Sequence, residues 1–378
     1  MLSLLHNLFA WAPLGVPAFA VVFTFVVFFH ELGHFLMARA FGVSIETFSI
    51  GFGTEVFGRT DKKGTRWKVS WLPLGGYVKF LGDENVTSTT PDLERIEQLK
   101  TEERSGVLFF KPLYQRALVA AAGPLANFVF AFVVYVVLLT SYGAKAISTY
   151  VGDVQPHSPA AAAGIKPGDK IAAVDGQPVR LFYGELQETL QSGKGKTLTL
   201  SIERGGKPIT LRVTPGWIDN TDVYGAHIRT PGIGINHAEE TAENTVFIPV
   251  PLIRAPLVAA VQCWRIVDLS LTGLWRMVSH QADASQIGGP IAMAQMAKSA
   301  ASHGLYDLIS LIAFISVSIG LINLFPIPLL DGGHLLYYGC EAVLGRPLGE
   351  RAQDVGFRLG LALVLGLMIF ATWNDLVR

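Results

Sequence analysis

The residues with the clearest chemical potential lie in an apolar stretch near the N-terminus, which reads F-F-H-E-L-G-H-F and contains His30, Glu31 and His34. On a helix, residues four positions apart project from the same face. Both imidazoles can therefore reach one metal ion, while the intervening Glu faces a water molecule at that ion. This pattern predicts a hydrolytic site with one zinc ion per chain. In the alternative interpretation, the histidines are buried side chains that hydrogen-bond to neighbouring helices.

A catalytic zinc ion usually has three protein ligands and one open position, so a third ligand must come from elsewhere in the chain. The end of a later apolar stretch reads N-L-F-P-I-P-L-L-D-G-G-H and offers Asp331 and His334. Both stretches are predicted to cross the membrane in the same direction, which brings their C-terminal ends to the same side. The spacing leaves the choice between the two side chains open. Alternatively, Asp331 and Gly332–Gly333 only form a turn that caps the next helix.

The composition indicates a membrane protein. Of the 378 residues, 50% are hydrophobic and only 16% are charged, and the mean hydropathy is +0.40. The 30 basic residues balance the 30 acidic residues, so no nucleic-acid partner is expected. The two cysteines follow no spacing that is typical of a disulfide framework.

Four stretches are long and apolar enough to cross a bilayer, because about 20 helical residues span ~30 Å of hydrocarbon. They are residues 8–37, 117–139, 308–330 and 355–373. Residues 252–278 are also rich in apolar side chains, but Arg and Asp residues leave no charge-free run longer than about ten residues. We therefore expect this stretch to form an amphipathic helix at the membrane surface.

The distribution of basic residues predicts the orientation. No Lys or Arg precedes the first span, whereas the loop after it is rich in both. The positive-inside rule places this loop in the cytoplasm and both chain termini outside. The predicted zinc site then lies near the cytoplasmic face, and residues from about 141 to 304 lie outside.

Three motifs in combination resemble the site-2 protease family of intramembrane zinc metalloproteases, most closely its RseP (regulator of sigma-E protease) type. They are H-E-L-G-H in the first span, A-G-P-L-A-N-F at Ala122–Phe128, and the N-L-F-P-I-P-L-L-D-G-G-H sequence that begins at Asn323. The resemblance implies that His30, His34 and Asp331 bind zinc and that Glu31 is the general base. It also implies a substrate channel near the metal, to which we assign Asn323, Pro326, Pro328, Gly51, Gly53, Gly75, Gly76 and Asn127.

A β-hairpin is predicted shortly after the first span. Residues 54–59 and 65–71 alternate in polarity around the turn Asp61–Gly64, and Gly51–Gly53 and Leu74–Tyr77 flank them as flexible, apolar turns. The family has a membrane-reentrant β-loop at this position. We expect the hairpin to enter the membrane and to pair its edge with an unwound substrate segment. In the alternative interpretation it is a cytoplasmic hairpin that packs only for stability.

Residues 148–238 differ in composition, with short alternating strands and turn residues. The segment Gly164–Val179 resembles a bacterial, circularly permuted PDZ domain. That resemblance implies that Gly232, Ile233 and Gly234 hold the terminal carboxylate of a peptide through backbone N–H groups. The alternative is a size filter that excludes substrates with a large outer domain. The RseP type often has two PDZ domains, whereas this chain has room for one.

The predicted fold is an α-helical polytopic membrane protein with four transmembrane helices, a membrane-reentrant β-hairpin and one extramembrane α+β PDZ domain. The predicted segments are 1–43 (first transmembrane helix), 44–82 (hairpin), 83–116 (cytoplasmic loop), 117–140 (second helix), 148–238 (PDZ domain), 252–304 (amphipathic helix and clamp), 305–340 (third helix with the Asp motif) and 352–376 (fourth helix).

The expected function is hydrolysis of a peptide bond within the transmembrane segment of a single-span protein, in regulated intramembrane proteolysis during a stress response. The resemblance implies an anti-sigma factor, trimmed by an earlier protease, or remnant signal peptides as the substrate. We expect a monomer with the lipid bilayer and the substrate as its partners. One alternative is a PDZ-bearing membrane scaffold with a structural or inactive zinc site. A zinc-dependent lipid hydrolase is a further alternative, which the PDZ domain and hairpin disfavour.

Overall fold

The computed structural model describes residues 12–83, 93–222, 226–241, 243–281, 285 and 287–377. Residues 1–11 of the predicted first segment and residues 84–92 of the predicted cytoplasmic loop lie outside these ranges. The chain divides into two compact units. Unit 1 comprises residues 1–136, 256–272 and 287–378, and unit 2 comprises residues 137–255 and 273–286.

Helices make up most of unit 1. The long helices are α1 (Ala12–Ala40), α4 (Leu113–Ser141), α7 (Ala255–Val278), α9 (Leu305–Asn323) and α11 (Glu350–Val377). Among the described residues, the shorter α-helices of both units are α2 (Leu93–Gln98), α3 (Thr101–Arg104), α5 (Pro159–Ala163), α6 (Gln187–Ser192), α8 (Pro290–His303) and α10 (Asp331–Leu344).

Within the described ranges, five helices are long and apolar enough to cross a membrane, where the sequence predicted four. The additional helix is α7, with a mean hydropathy of 1.3 against 2.0 to 2.2 for the others. An 18-residue stretch of α7 contains no more than two charged residues, although no shorter charge-free run is long enough to span the bilayer. The helix has 24 residues, which is sufficient for a crossing. The count of four spans is therefore not confirmed.

The predicted third span is divided into two helices. Helix α9 ends at Asn323 and α10 begins at Asp331, so residues 324–330 form an irregular connection. Pro326 and Pro328 explain the break, because neither has a backbone N–H for a helical hydrogen bond. Leu329 has a φ of 107°, a conformation that is strained for a residue with a side chain.

The hairpin is longer than predicted, with β1 at Ile45–Thr60 and β2 at Arg66–Phe80. Gly51, Gly53 and Gly75 lie within these strands at φ values of 86°, 90° and 113°, not in flanking turns. Backbone at positive φ interrupts the alternation of side chains, and the strand register changes around Gly51, between Ile50 and Phe52. A strict alternation of side chains could not reveal strands that are interrupted in this way.

The strands of the hairpin fold back on each other. Phe48 lies opposite Val78 on one side and Trp67 on the other, while Phe57 lies opposite Val69. Residues 76–80 are therefore one outer segment of this sheet, and residues 55–60 are the other. The inner half packs on α1 in a cluster of buried residues that includes Phe48.

Small residues bring the helices of unit 1 together. A Cβ atom on Gly33 of α1 would lie 2.2 Å from the backbone oxygen of Ala122 in α4. A Cβ atom on Gly320 of α9 would lie 3.0 Å from the backbone oxygen of Pro124. Glycine is thus required for α4 to lie in backbone contact with α1, and α9 packs almost as closely on its other side.

Unit 2 is built from short strands around its own hydrophobic core. Its strands are β3 (Ala144–Ile147), β4 (Val151–Val154), β5 (Lys170–Val174), β6 (Gln177–Pro178), β7 (Leu198–Arg204), β8 (Lys207–Val213), β9 (Gly216–Thr221), β10 (His227–Gly232), β11 (Ile235–His237) and β12 (Thr245–Ile248). One four-stranded sheet has the order β6-β5-β7-β8, and β11 pairs with β4. Ile171, Leu186 and Leu200 are fully buried between the sheet and α6.

A buried ion pair stabilises unit 2. Arg204 donates to both carboxylate oxygens of Asp169, at 2.6 and 2.7 Å, and the backbone N–H of Lys166 donates to the same group. Arg204 holds the pKa of the Asp169 carboxyl below its usual range. A lowered folded-state pKa means that the pair stabilises the fold at neutral pH, and that this contribution is lost as the pH falls below about 4.

The variant Asp169→Asn should therefore destabilise unit 2 at pH 7 by about 2 kcal/mol, less than a fully buried pair because Arg204 is partly exposed. Hydrogen exchange at the buried amides of β5 and β7 measures this loss. The difference from the unmodified protein should shrink as the pH falls towards 3. The matched control is Asp153→Asn, at an exposed position. Equal protection in the two variants at pH 7 would contradict the prediction.

Candidate metal centre

Three predicted ligands converge in unit 1. His30 Nε2 lies 3.1 Å from Asp331 Oδ2, and His34 Nε2 lies 3.4 Å from Asp331 Oδ1. The two Nε2 atoms are 3.3 Å apart. Among the described residues, this is the group of His, Cys, Asp and Glu side chains whose atoms could hold a metal ion.

The spacing of these atoms fits a zinc ion. Donors bound at about 2.1 Å in a tetrahedron are separated by about 3.4 Å, and the observed separations are 3.1 to 3.4 Å. Asp331 Oδ2 is buried and has no hydrogen-bond partner, as expected for an atom that is arranged to bind a metal. Two imidazoles and one carboxylate are also a donor set that zinc uses in catalytic sites.

His334 lies outside this group. It is one turn further along α10 and lines the adjoining cavity. The geometry thus distinguishes two candidates that the spacing of the sequence could not separate. Asp331 is the first residue of α10, where Gly332 and Gly333 lie directly against the backbone of the preceding turn. A Cβ atom at Gly332 would lie 2.2 Å from the backbone oxygen of Phe325.

Helix α4 orients the two histidines. The backbone oxygen of Val119 lies 2.8 Å from His34 Nδ1 and can accept a hydrogen bond from it, which favours the ring form with the proton on Nδ1 and leaves Nε2 unprotonated for a metal. Gly123 makes room for this ring, because a Cβ atom there would lie 2.2 Å from His34 Nε2. The side chain of Asn127 lies 3.3 Å from His30 Nδ1. Neither Val119 nor Gly123 belongs to the histidine motif, and the sequence did not indicate their contact with it.

A cavity of about 390 Å³ adjoins the cluster. Glu31 lies on its wall, as do Gly76 and Val78 of the hairpin. Of the predicted substrate residues, Gly76 and Asn323 line this cavity. The others are not among its lining residues, namely Pro326, Pro328, Gly51, Gly53, Gly75 and Asn127.

Polar residues that no sequence motif indicated also line this cavity, among them Arg116 and Asp83. Arg116 makes a bidentate ion pair with Glu341, at 3.0 and 2.5 Å, and its guanidinium lies over the ring of Tyr338. Burial raises the pKa of Asp83 to about 7. These residues come from α4, α10 and the end of β2, so only the folded chain brings them together.

Helix α11 supports the connection that leads to Asp331. A Cβ atom on Gly360 would lie 1.7 Å from the backbone oxygen of Pro328, and one on Gly356 would lie 2.2 Å from Tyr337 Oη. The backbone of α11 therefore touches the connection directly, next to the strained Leu329. This contact holds the end of α10 that bears the Asp331 carboxylate in place. No sequence motif indicated the contact.

A second groove of about 80 Å³ lies in unit 2, and Gly232, Ile233 and Gly234 contribute to its wall. The oxygens of Ile233 and Gly234 accept backbone hydrogen bonds from Ala160 and Gln155 at 2.8 and 2.9 Å. Within the described part of the chain, no backbone carbonyl accepts from the N–H groups of Ile233 and Gly234. Adjacent free N–H groups of this kind can bind a carboxylate.

Comparison with known proteins gives a consistent result. A model of peptidase family M50 matches residues 18–367. A Rhizobium meliloti protein that carries the name of a zinc metalloprotease is 42% identical over 361 residues, which are 96% of each chain. Metalloprotease MmpA of Caulobacter vibrioides is 40% identical over 379 residues, with 94% of each chain covered.

Among solved structures, the PDZ domain of the SdrC-like protein of Listeria monocytogenes is 27% identical and covers 24% of this chain and 88% of that domain. Its TM-score is 0.20. The PDZ assignment of unit 2 accordingly continues to rest on the motif at Gly164–Val179.

The contact between α11 and Pro328 yields a test. Gly360→Ala adds a methyl group where the backbone oxygen of Pro328 lies, so the connection to Asp331 must move. Zinc affinity, measured by competition with a chelator, should fall about tenfold or more. The matched control is Gly366→Ala on the same helix, where no atom lies within 4 Å of the added methyl group. Unchanged zinc affinity in a folded Gly360→Ala protein would refute the supporting role.

Proposed function

The chain belongs to peptidase family M50, the site-2 protease family, and from this premise we propose that it hydrolyses a peptide bond within the transmembrane segment of single-span membrane proteins. It is a zinc metalloendopeptidase and a multi-pass membrane protein. The observation that carries the proposal is the cluster of Asp331 with His30 and His34 of an apolar helix. Glu31 of the same helix lies on the wall of the adjoining cavity. The family relationship disfavours the alternative of a scaffold without catalytic activity.

His30, His34 and Asp331 would hold the zinc ion, and the side chain of Glu31 would act beside it. When bound, zinc supplies Lewis-acid chemistry, which polarises a carbonyl group and acidifies water. Glu31 would take a proton from the attacking water molecule and deliver it to the amine of the leaving fragment.

The hairpin would present the substrate to this site. A peptide bond within a transmembrane helix is shielded by its own helical turn, so cleavage requires an extended segment whose backbone groups find new partners. The outer segment 76–80 borders the cavity through Gly76, Tyr77 and Val78. Strand addition along this segment would supply those partners next to Glu31.

Two observations support a membrane-inserted hairpin. The Thr24 hydroxyl of α1 donates to the backbone oxygen of Pro73 at 3.5 Å. Because Thr24 is six residues before His30, the hairpin extends along α1 by about 9 Å beyond the cluster. Its outer part also exposes large apolar side chains, those of Val56, Phe57 and Trp71. Such side chains suit contact with lipid or with an apolar substrate better than contact with water.

The remaining assignments follow from the resemblance and from the charge distribution. The substrate would be an anti-sigma factor after trimming by another protease, or a remnant signal peptide, in a stress response. The enzyme would lie in the bacterial inner membrane with its termini in the periplasm and its active site near the cytoplasm. The free N–H groups of Ile233 and Gly234 support binding of a new C-terminal carboxylate to unit 2 after trimming.

The role of Glu31 is tested by Glu31→Gln in purified full-length protein with a model single-span substrate. The amide cannot accept the proton, so kcat should fall by about 10³-fold. Zinc content should remain unchanged, because Glu31 is outside the ligand cluster. Mass spectrometry of the fragments should place the cut within the apolar segment. Persistent cleavage by the variant, or a cut outside the apolar segment, would reject the assignment.

Strand addition is tested at Val78, whose N–H points away from β1. Val78→Pro removes this N–H, whereas Val78→Ala loses the side chain but keeps the N–H. The proline variant should raise KM for a single-span substrate about fivefold or more relative to the alanine variant. Both variants should bind zinc as the unmodified protein does. Equal KM values in the two variants would leave the hairpin with a structural role only.

A further inference from the structure

The side chain of Asn127 lies within the protein and not on the cavity wall. It is fully buried in α4, and its Nδ2 atom is 3.3 Å from His30 Nδ1. Its Oδ1 atom is buried and has no hydrogen-bond partner. From the sequence, Asn127 was expected to contribute to substrate binding. Its position in the fold suggests a different role.

The chemistry of His30 decides which end of the carboxamide faces it. If Nε2 binds a metal, the ring is neutral and its proton is on Nδ1. An amide NH₂ group facing this N–H would set two donors against each other. The two ends of a carboxamide have nearly the same shape, so a half-turn places the oxygen at the same 3.3 Å separation. In either orientation one atom of the carboxamide, Oδ1 or Nδ2, has no hydrogen-bond partner. The N–H group of His30 therefore decides the orientation, and it favours the oxygen.

The main chain of Asn127 is also fixed. Its backbone oxygen accepts a hydrogen bond from Ser316 Oγ of α9 at 3.0 Å, and both residues are fully buried. Gly320 of α9 packs against the same residue, since a Cβ atom there would lie 3.2 Å from Asn127 Cβ. Asn127 is therefore held between α9 and the histidine of α1.

We propose that Asn127 is a positioning residue of the metal centre, whose carboxamide oxygen accepts a hydrogen bond from the Nδ1–H group of His30. It thereby holds the ring in the form that leaves Nε2 free for zinc. The backbone oxygen of Val119 has the same role at His34. This inference rests on the metal site of the proposed function, and it replaces the predicted substrate contact.

Substitutions of Asn127 separate acceptor chemistry from packing. Asn127→Leu has nearly the same volume and no acceptor, and Asn127→Ala removes the acceptor without adding bulk. Both should weaken zinc binding 10- to 100-fold, as loss of a hydrogen-bond acceptor behind a ligating histidine typically does. Asn127→Asp keeps an acceptor oxygen and should bind zinc within about threefold of the unmodified protein.

The experiment uses full-length protein in detergent, with zinc affinity measured by chelator competition and the absorption spectrum of the cobalt-substituted protein as a second readout. The spectrum should change in the Leu and Ala variants and be largely restored in the Asp variant. At saturating zinc, KM for a single-span substrate should remain within twofold in Asn127→Ala, whereas a substrate-binding residue would raise it. Wild-type zinc affinity in either the Leu or the Ala variant, or a raised KM alone, would overturn the proposal.

Two further variants distinguish this proposal from the metal site itself. His30→Ala and Asp331→Ala should lose zinc binding. If they retain it, the proposed metal site is wrong and the role of Asn127 falls with it. If they lose zinc while Asn127→Ala retains full affinity, the metal site stands and only the positioning role is rejected.

Discussion

The close approach of α1 and α4 is the constraint on which the metal centre depends. At Gly33 and Gly123 any side chain would overlap the backbone of Ala122 or the ring of His34. Only at this separation does α4 place hydrogen-bond acceptors behind imidazoles that project from α1. Polar groups at membrane depth are costly unless they are paired. The glycines thus allow histidines to be buried in a helix that otherwise presents apolar side chains.

Different interactions position the third side chain of the cluster, that of Asp331. Asp331 begins a helix, and its position is set by a short irregular connection, in which the N–H groups of Ile327 and Leu330 make turn hydrogen bonds to Phe325 and Ile327. The prolines start this connection, and Leu329 adopts a strained conformation within it. Such strain persists only where the surroundings enforce it. Gly332 on one side and Gly360 on the other provide that enforcement, because each lies in backbone contact with the connection.

The difference between local motifs and contacts across the fold explains how much of the metal centre could be predicted from the sequence. The histidine motif is local to one helix, so its spacing alone indicates the chemistry. Asp331 could be proposed, because the direction of each span constrains where it ends, but its distinction from His334 needed coordinates. The contacts of Asn127 and Gly360 are between helices far apart in sequence, and no local pattern encodes them. The hairpin was recognised, yet its length was not, since backbone at positive φ interrupts the alternation that marks a strand.

Under the proposed strand addition, the length of the hairpin edge would limit how much of a substrate must unwind. Successive residues of a strand direct their N–H and C=O groups to opposite sides, so along the outer segment Gly76, Val78 and Phe80 face away from β1. The N–H of Phe80 is already taken by the carboxylate of Asp83, at 3.1 Å. Gly76 and Val78 therefore remain for pairing, beside Glu31. Each backbone group freed from a helix in lipid costs several kcal/mol if unpaired. An edge this short would favour unwinding of only a few residues, which would confine cleavage to the part of the substrate next to the metal centre.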